Sequence, residues 1–168
     1  MKVRTLLIAA ALLAATVAAP ATAQAAPESA PAVARTAQNL DGRFTAPGAP
    51  HITRPPADRA TAAAVSPTIS PSANYFFIPP NSDYQCYSGN LCTGVWDPTR
   101  SQWKIFKLYY CNFYTLYNWL GDGFYVNNQT DGTTAYFYNS SRQVIKSAPA
   151  DHEQHPYDWD PVYYIRNC

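Results

Sequence analysis

The stretch Cys86-Tyr87-Ser88-Gly89-Asn90-Leu91-Cys92-Thr93-Gly94-Val95-Trp96 decides how the rest of the chain is read. Two cysteines flank a Ser-Gly-Asn turn, and an apolar run follows at once. Gly and Asn both accept backbone angles that reverse a chain. A local bridge between Cys86 and Cys92 suits that spacing. The other two cysteines, Cys111 and Cys168, would then pair with each other. Four cysteines allow three pairings, so the sequence leaves the alternatives open. A zinc site would want Cys-x-x-Cys spacing or a histidine at ligand distance along the chain, and Cys86 and Cys92 are too far apart for that.

Composition divides the chain around this stretch. All four Trp and twelve of the thirteen Tyr lie from Tyr84 onward, while Ala and most of the Pro precede it. The net charge of +1 gives no electrostatic case for nucleic acid, which needs a dense basic face, nor for an anionic membrane surface, and no nucleic-acid partner is expected.

Residues 1–26 read as a secretory signal peptide. Lys2 and Arg4 begin it, Leu6 to Ala19 form its apolar core, and Ala23-Gln24-Ala25 or Ala21-Thr22-Ala23 offers a cleavage site. The core is too short and Ala-rich for a span, so no stable membrane anchor is expected. Residues 27–72 are rich in Ala, Pro, Ser and Thr without a period of 2 or 3.6. They are expected to be a disordered spacer or propeptide.

Residues 73–168 read as one all-β domain of short strands separated by turns, a sandwich or barrel. Strands are expected at Tyr75–Ile78, Leu91–Trp96, Gln102–Leu108, Phe124–Asn128, Thr133–Tyr138, Gln143–Lys146 and Val162–Arg166. Trp103 and Ile105 fall on one face of their strand, Lys104 and Phe106 on the other, which implies cover on both sides. Asp131-Gly132 favours a tight hairpin. Residues 147–160 contain Pro149 and Pro156 and are expected as loop, and Asn112 to Leu120 is the one stretch that invites a helix.

Groups that carry chemistry are sparse. His152 and His155 stand three apart beside Asp151, Asp158 and Asp160, but next to Pro156 in a loop-like stretch. Ser88, Ser101, Ser140 and Ser141 are the serines a histidine could activate, and no Gly-x-Ser-x-Gly elbow is present. Glu153 is the only glutamate of the domain, which excludes a paired-glutamate hydrolase. No catalytic residue, no metal site and no cofactor is expected. The aromatics carry more. Tyr and Trp bring large contact area at low entropic cost, and Trp96, Tyr109, Tyr110 and Trp119 are the expected binding surface.

The same residues resemble a known group. Cys86-Tyr87-Ser88-Gly89-Asn90-Leu91-Cys92 followed by Val95-Trp96 is similar to the opening of the secreted actinobacterial metalloproteinase-inhibitor family. Leu116-Tyr117-Asn118-Trp119 and Val126-Asn127-Asn128-Gln129-Thr130 resemble later segments of that family. The resemblance covers about Asp83 to Cys168. It implies a βγ-crystallin-like double Greek-key sandwich, a Cys86–Cys92 bridge and no enzymatic activity. Crystallin-type calcium loops would fall at 120–125 and 159–164, where aromatics replace hydroxyl ligands, so no tight calcium site is expected. The expected function is that of a secreted, extracellular, monomeric binding domain, an inhibitor of extracellular peptidases. The alternative is a cell-wall or polysaccharide-binding module, with Trp96, Trp119 or Trp159 stacking on sugar rings.

Overall fold

A computed structural model describes residues 42–50 and 64–168. The expected signal peptide, residues 1–26, lies outside the described residues, as do 27–41 and 51–63 of the expected spacer. The described residues form strands and no helix. The strands are β1 (Arg43–Thr45), β2 (Thr68–Ser70), β3 (Asn74–Ile78), β4 (Asp83–Gln85), β5 (Asn90–Asp97), β6 (Gln102–Leu108), β7 (Phe113–Tyr117), β8 (Asp122–Asn128), β9 (Thr134–Tyr138), β10 (Val144–Pro149), β11 (Gln154–Asp158) and β12 (Tyr164–Arg166).

Two five-stranded sheets pack face to face. The first runs β11-β8-β5-β6-β3 and the second β10-β9-β12-β7-β2. Every strand pair is antiparallel. The strands β5 to β8 and β9 to β12 behave as two sets of four. In each set the first, second and fourth strands share a sheet, and the third crosses to the other. β7 lies in the second sheet beside β12, and β11 lies in the first beside β8.

Side-chain alternation fills the space between the sheets. Leu91, Val95, Phe106 and Leu108 from the first sheet meet Tyr114, Leu116, Phe137 and Ile165 from the second. Trp119 and Trp159 complete that core, with ring centroids 5.1 Å apart, edge to face. Burying an apolar side chain of this size contributes roughly 2–3 kcal/mol. A second cluster lies on the other side of the first sheet. There Cys92, Trp103 and Ile105 pack under Phe44 of β1 and Tyr84 of β4, which pair with each other. The first sheet is thus a middle layer, and β5 and β6 are buried almost throughout. The two-sided cover expected for Gln102–Leu108 is present.

Four expectations are corrected. The spacer reading of 27–72 fails where the chain is described, because β1 and β2 lie inside it. The described parts of that segment, without an apolar period of their own, are held by the domain's side chains. Trp103 Nε1 donates to Pro47 O and Trp119 Nε1 to Thr68 O, each at 2.9 Å, while Lys104 Nζ donates to Pro67 O at 2.7 Å. Secondly, the stretch that invited a helix is β7, alternating exposed Phe113, buried Tyr114, buried Leu116 and exposed Tyr117. Thirdly, residues 147–160 contain β11, which tolerates Pro156 because it is an edge strand with one unpaired side. Lastly, Asp131-Gly132 does not close a hairpin. Gly132 turns at φ +85°, but β8 and β9 belong to different sheets, so this turn crosses between layers.

Candidate binding end of the sandwich

The loop between β4 and β5 is a small braced unit. Cys86 and Cys92 are bridged, with Cα atoms 5.9 Å apart. Gly89 adopts φ +85°, which a glycine takes without steric cost. Its amide donates to Asn128 O at 2.7 Å, and Asn90 Nδ2 donates to Tyr87 O at 3.0 Å. The bridge and these bonds leave Tyr87 projecting, about half exposed.

The connection from β6 to β7 must pass from the first sheet to the second, and it does so beside that loop. Leu91 pairs with Leu108, so the two loops leave the sheet as neighbours. Tyr109 and Tyr110 form the connection's tip and are 63% and 71% exposed. Their rings meet edge to face at 5.4 Å. Tyr109 also lies over Gly89, where a Cβ would stand 3.1 Å from its Cε2. Larger residues at position 89 would therefore push the tyrosine away. Lys107 carries its ammonium over Phe76 at 5.5 Å and Tyr87 at 5.8 Å, placing one cation among the rings.

The tip is held from behind. Three donors converge on Tyr110 O: the Asn112 amide at 2.8 Å, Asn167 Nδ2 at 3.0 Å and the Tyr114 hydroxyl at 3.2 Å. Burial pushes the Tyr114 phenol up, against an opposing hydrogen bond from Asn112, so the hydroxyl remains a donor. Asn167 Nδ2 also donates to Leu108 O at 2.8 Å, and Gln129 Nε2 donates to Asn167 O at 2.7 Å. Cys111, next after the tip, is bridged to Cys168. Both bridges expected from the local pairing are thus formed, and both brace the same end of the sandwich.

The expected binding surface is only partly brought together. Tyr109 and Tyr110 form the tip, but Trp96 pairs with Trp103 near the far end of β5, half-buried against its ring at 5.3 Å. Trp119 is 3% exposed and belongs to the core, stacked on Phe106. Trp159 is wholly buried, its indole donating to Gly94 O at 2.9 Å. Both indole N–H groups find carbonyls inside the fold, which is why these rings face inward. Neither can serve as surface.

The histidines are placed by local bonds. Asn128 Nδ2 donates to Cys86 O at 2.7 Å, which fixes its Oδ1 toward His152 Nδ1, also at 2.7 Å. His152 Nε2 faces Asp131 Oδ1 at 2.7 Å. His155 Nε2 faces Asp151 Oδ2 at 2.8 Å, and its ring stacks on Tyr125. The two rings therefore point to separate carboxylates rather than to one shared centre. Asp160 Oδ1 accepts from the Gly121 amide at 3.0 Å, joining the two loops at 120–125 and 159–164.

Among the described residues, the buried Lys104 and Asp97 form a charged cluster with Ser66. Burial lowers the Lys104 ammonium, with Asp97 opposing that and Arg100 adding to it. Burial alone would raise the Asp97 carboxyl. Hydrogen bonds from Ser66 and Thr99, with the charge of Lys104, outweigh it and hold the group below its usual range. Ser66 donates to Asp97 while accepting from Lys104 Nζ at 3.1 Å. A lysine donating to that hydroxyl does not take its proton, so the cluster anchors the chain ahead of β2.

Sequence reasoning missed one group. Phe113, Tyr138 and Tyr164 stack together on the outer face of the second sheet, with Phe113 5.3 Å from each partner. Alternation from Phe113 to Tyr117 was the available signal.

No family model, no curated protein and no solved structure matches this chain.

Proposed function

We propose that this chain is an exported, non-enzymatic binding domain that inhibits an extracellular peptidase by offering it the Tyr109–Tyr110 tip. One observation carries the reading: both disulfides brace the end of the sandwich that exposes Tyr87, Tyr109 and Tyr110. A loop fixed by a bridge and by three donors on one carbonyl loses little entropy when it docks. Exposed tyrosines at a rigid tip supply the aromatic anchors that dominate protein interfaces. Two disulfides persist in oxidising surroundings, which agrees with export. The family resemblance points the same way. It also bears on the finer fold, which we read as two Greek keys of βγ-crystallin type. The support is the exchange of third strands, β7 and β11, between the two sheets. The polysaccharide alternative, as drawn on indoles, keeps only Trp96, since Trp119 and Trp159 are buried.

The test is a titration of the full chain against secreted metallo- and serine peptidases, following cleavage of a small substrate. Saturable inhibition that disappears on reduction, and in the Tyr109→Ala/Tyr110→Ala variant, is the expected result. A panel left fully active by the intact, uncleaved protein would refute the reading.

A further inference from the structure

Asn167 reaches across a single peptide bond. Its side-chain amide has two protons to give, and they go to Leu108 O at 2.8 Å and to Tyr110 O at 3.0 Å. Those carbonyls stand one residue before and one residue after that of Tyr109, so the amide straddles the Tyr109–Tyr110 bond. Tyr109 O, between them, has no donor among the described residues. Tyr110 O already takes three, from Asn112, Tyr114 and Asn167. Residues 109–111 are all exposed, and of the two tyrosine carbonyls it is that of Tyr109 which is left open to attack.

We infer that Tyr109–Tyr110 is a substrate-like bond for a serine endopeptidase that cleaves after aromatic residues, with Asn167 as the positioning residue that keeps its two ends together. The inference rests on the inhibitory tip proposed above and names the peptidase class that the tip takes. The side chain before the cleaved bond is the one an S1 pocket reads, and here it is the exposed ring of Tyr109. In the first step the peptidase's serine oxygen bonds the Tyr109 carbonyl carbon. The Tyr109 C–Tyr110 N bond breaks, and the serine's proton passes through the peptidase's base to Tyr110 N. An ordinary substrate releases its amine half at this stage, and water then attacks the ester. Here neither half can leave. Tyr110 is held by three donors on its carbonyl and by the Cys111–Cys168 bridge at the next residue. Leu108 is held by Asn167 and by its pairing with Leu91. The Tyr110 amine stays beside the ester at high effective concentration. It attacks the ester carbon before water does, returns the proton to the serine and re-forms the peptide bond. A peptidase that hydrolyses in one step with a metal-bound water makes no ester for that amine to reclaim, so the arrangement works against the serine class.

The test titrates the full, oxidised chain against chymotrypsin and follows inhibition and the chain's own cleavage together. Saturable inhibition is expected. After reduction and denaturation, a fragment beginning at Tyr110 should appear, and its share should settle at a constant value short of completion. Tyr109→Lys, at an exposed position, should weaken inhibition of chymotrypsin roughly a hundredfold and create inhibition of trypsin. Asn167→Ala should let the same cut run to completion, with inhibition decaying over time. If that variant does not fold, the switch in Tyr109→Lys carries the test. Equal inhibition of chymotrypsin by Tyr109→Lys overturns the inference. So does a wild-type cut that runs to completion, or one that spares the Tyr109–Tyr110 bond on prolonged incubation. Inhibition of another secreted peptidase but not of chymotrypsin overturns it while leaving the inhibitory tip standing. Inhibition of none removes both.

Discussion

The side-chain amide of Asn167 donates to Tyr110 O at 3.0 Å and to Leu108 O at 2.8 Å, tying the end of β12 to the exposed tip. Asn167 is itself wholly buried. Substitution by Ala strips a donor from two carbonyls at once. Tyr110 O keeps the Asn112 amide and the Tyr114 hydroxyl as donors, so the loss falls mainly on Leu108 O, and Asn167→Ala is expected to lose roughly 1–3 kcal/mol in chemical denaturation. Asn167→Asp keeps the size but turns acceptors toward the carbonyls, and is expected to do at least as much harm. If Asn167→Asp unfolds at the wild-type midpoint, the bonds do not hold the tip.

The two bridges differ in the length of chain they close. Cys86 and Cys92 are 6 residues apart, Cys111 and Cys168 are 57 apart. On the chain-entropy account, the short loop contributes about 2 kcal/mol and the long one about 4 kcal/mol. Replacing Cys111 and Cys168 together by Ser should therefore lower the guanidinium midpoint more than replacing Cys86 and Cys92. The reverse order would show that the short bridge acts on the native loop rather than on the unfolded chain.

Much of the middle sheet was legible because its strands alternate and end at recognisable turns. Gln102–Leu108 was read to the residue, as Trp103, Ile105 and Phe106 each want a covered face. The errors share a cause: structure imposed from elsewhere in the chain. β2 has no apolar period of its own, because Trp119 and Lys104 hold its approach. β11 reads as loop because Pro156 is acceptable only where one side stays unpaired, and a single strand does not reveal its place in a sheet. For the site, Tyr109 and Tyr110 sit between the last β6 residue and a bridged cysteine, in a connection between strands, and such connections run over the surface. Trp96 and Trp119 look the same in sequence, and only the partners of their rings separate them. Phe113, Tyr138 and Tyr164 come from three strands whose adjacency no local pattern carries.

Gly123 is a point where two strands and an indole meet. A Cβ there would stand 2.2 Å from Trp159 Nε1 and 2.3 Å from Gly94 O. Gly94 O is the acceptor for that same indole. Neither group can withdraw, since one is backbone and the other is a fully buried ring. Gly123→Ala should cost roughly 3 kcal/mol or more through overpacking and the lost bond. Near-UV circular dichroism should lose its tryptophan signal. Gly132→Ala is the control: it has φ +85° but nothing within 4 Å, so it tests backbone strain without the clash. A Gly123→Ala protein no less stable than Gly132→Ala would contradict the packing described.

Alkaline pH should unfold the domain from within. Burial pushes the Tyr125 phenol up to about 12, with Asp151 and Tyr157 adding to the shift. Burial also raises Tyr84, and raises Tyr157 with help from Asp158. In the unfolded chain each would titrate near its ordinary value of about 10. Above that pH the unfolded state gives up protons that the folded state keeps. The stabilising contribution is therefore complete below about pH 10 and is lost as pH rises through the folded values, near 12 for Tyr125. Guanidinium midpoints should stay level to about pH 10 and then fall steeply. Tyrosinate absorbance should show a late, cooperative step that coincides with unfolding. Tyr125→Phe removes one of the linked protons and should make the alkaline limb shallower. A limb of unchanged slope in Tyr125→Phe, or complete tyrosinate formation in a still-folded protein near pH 10, would show that these phenols are open to water.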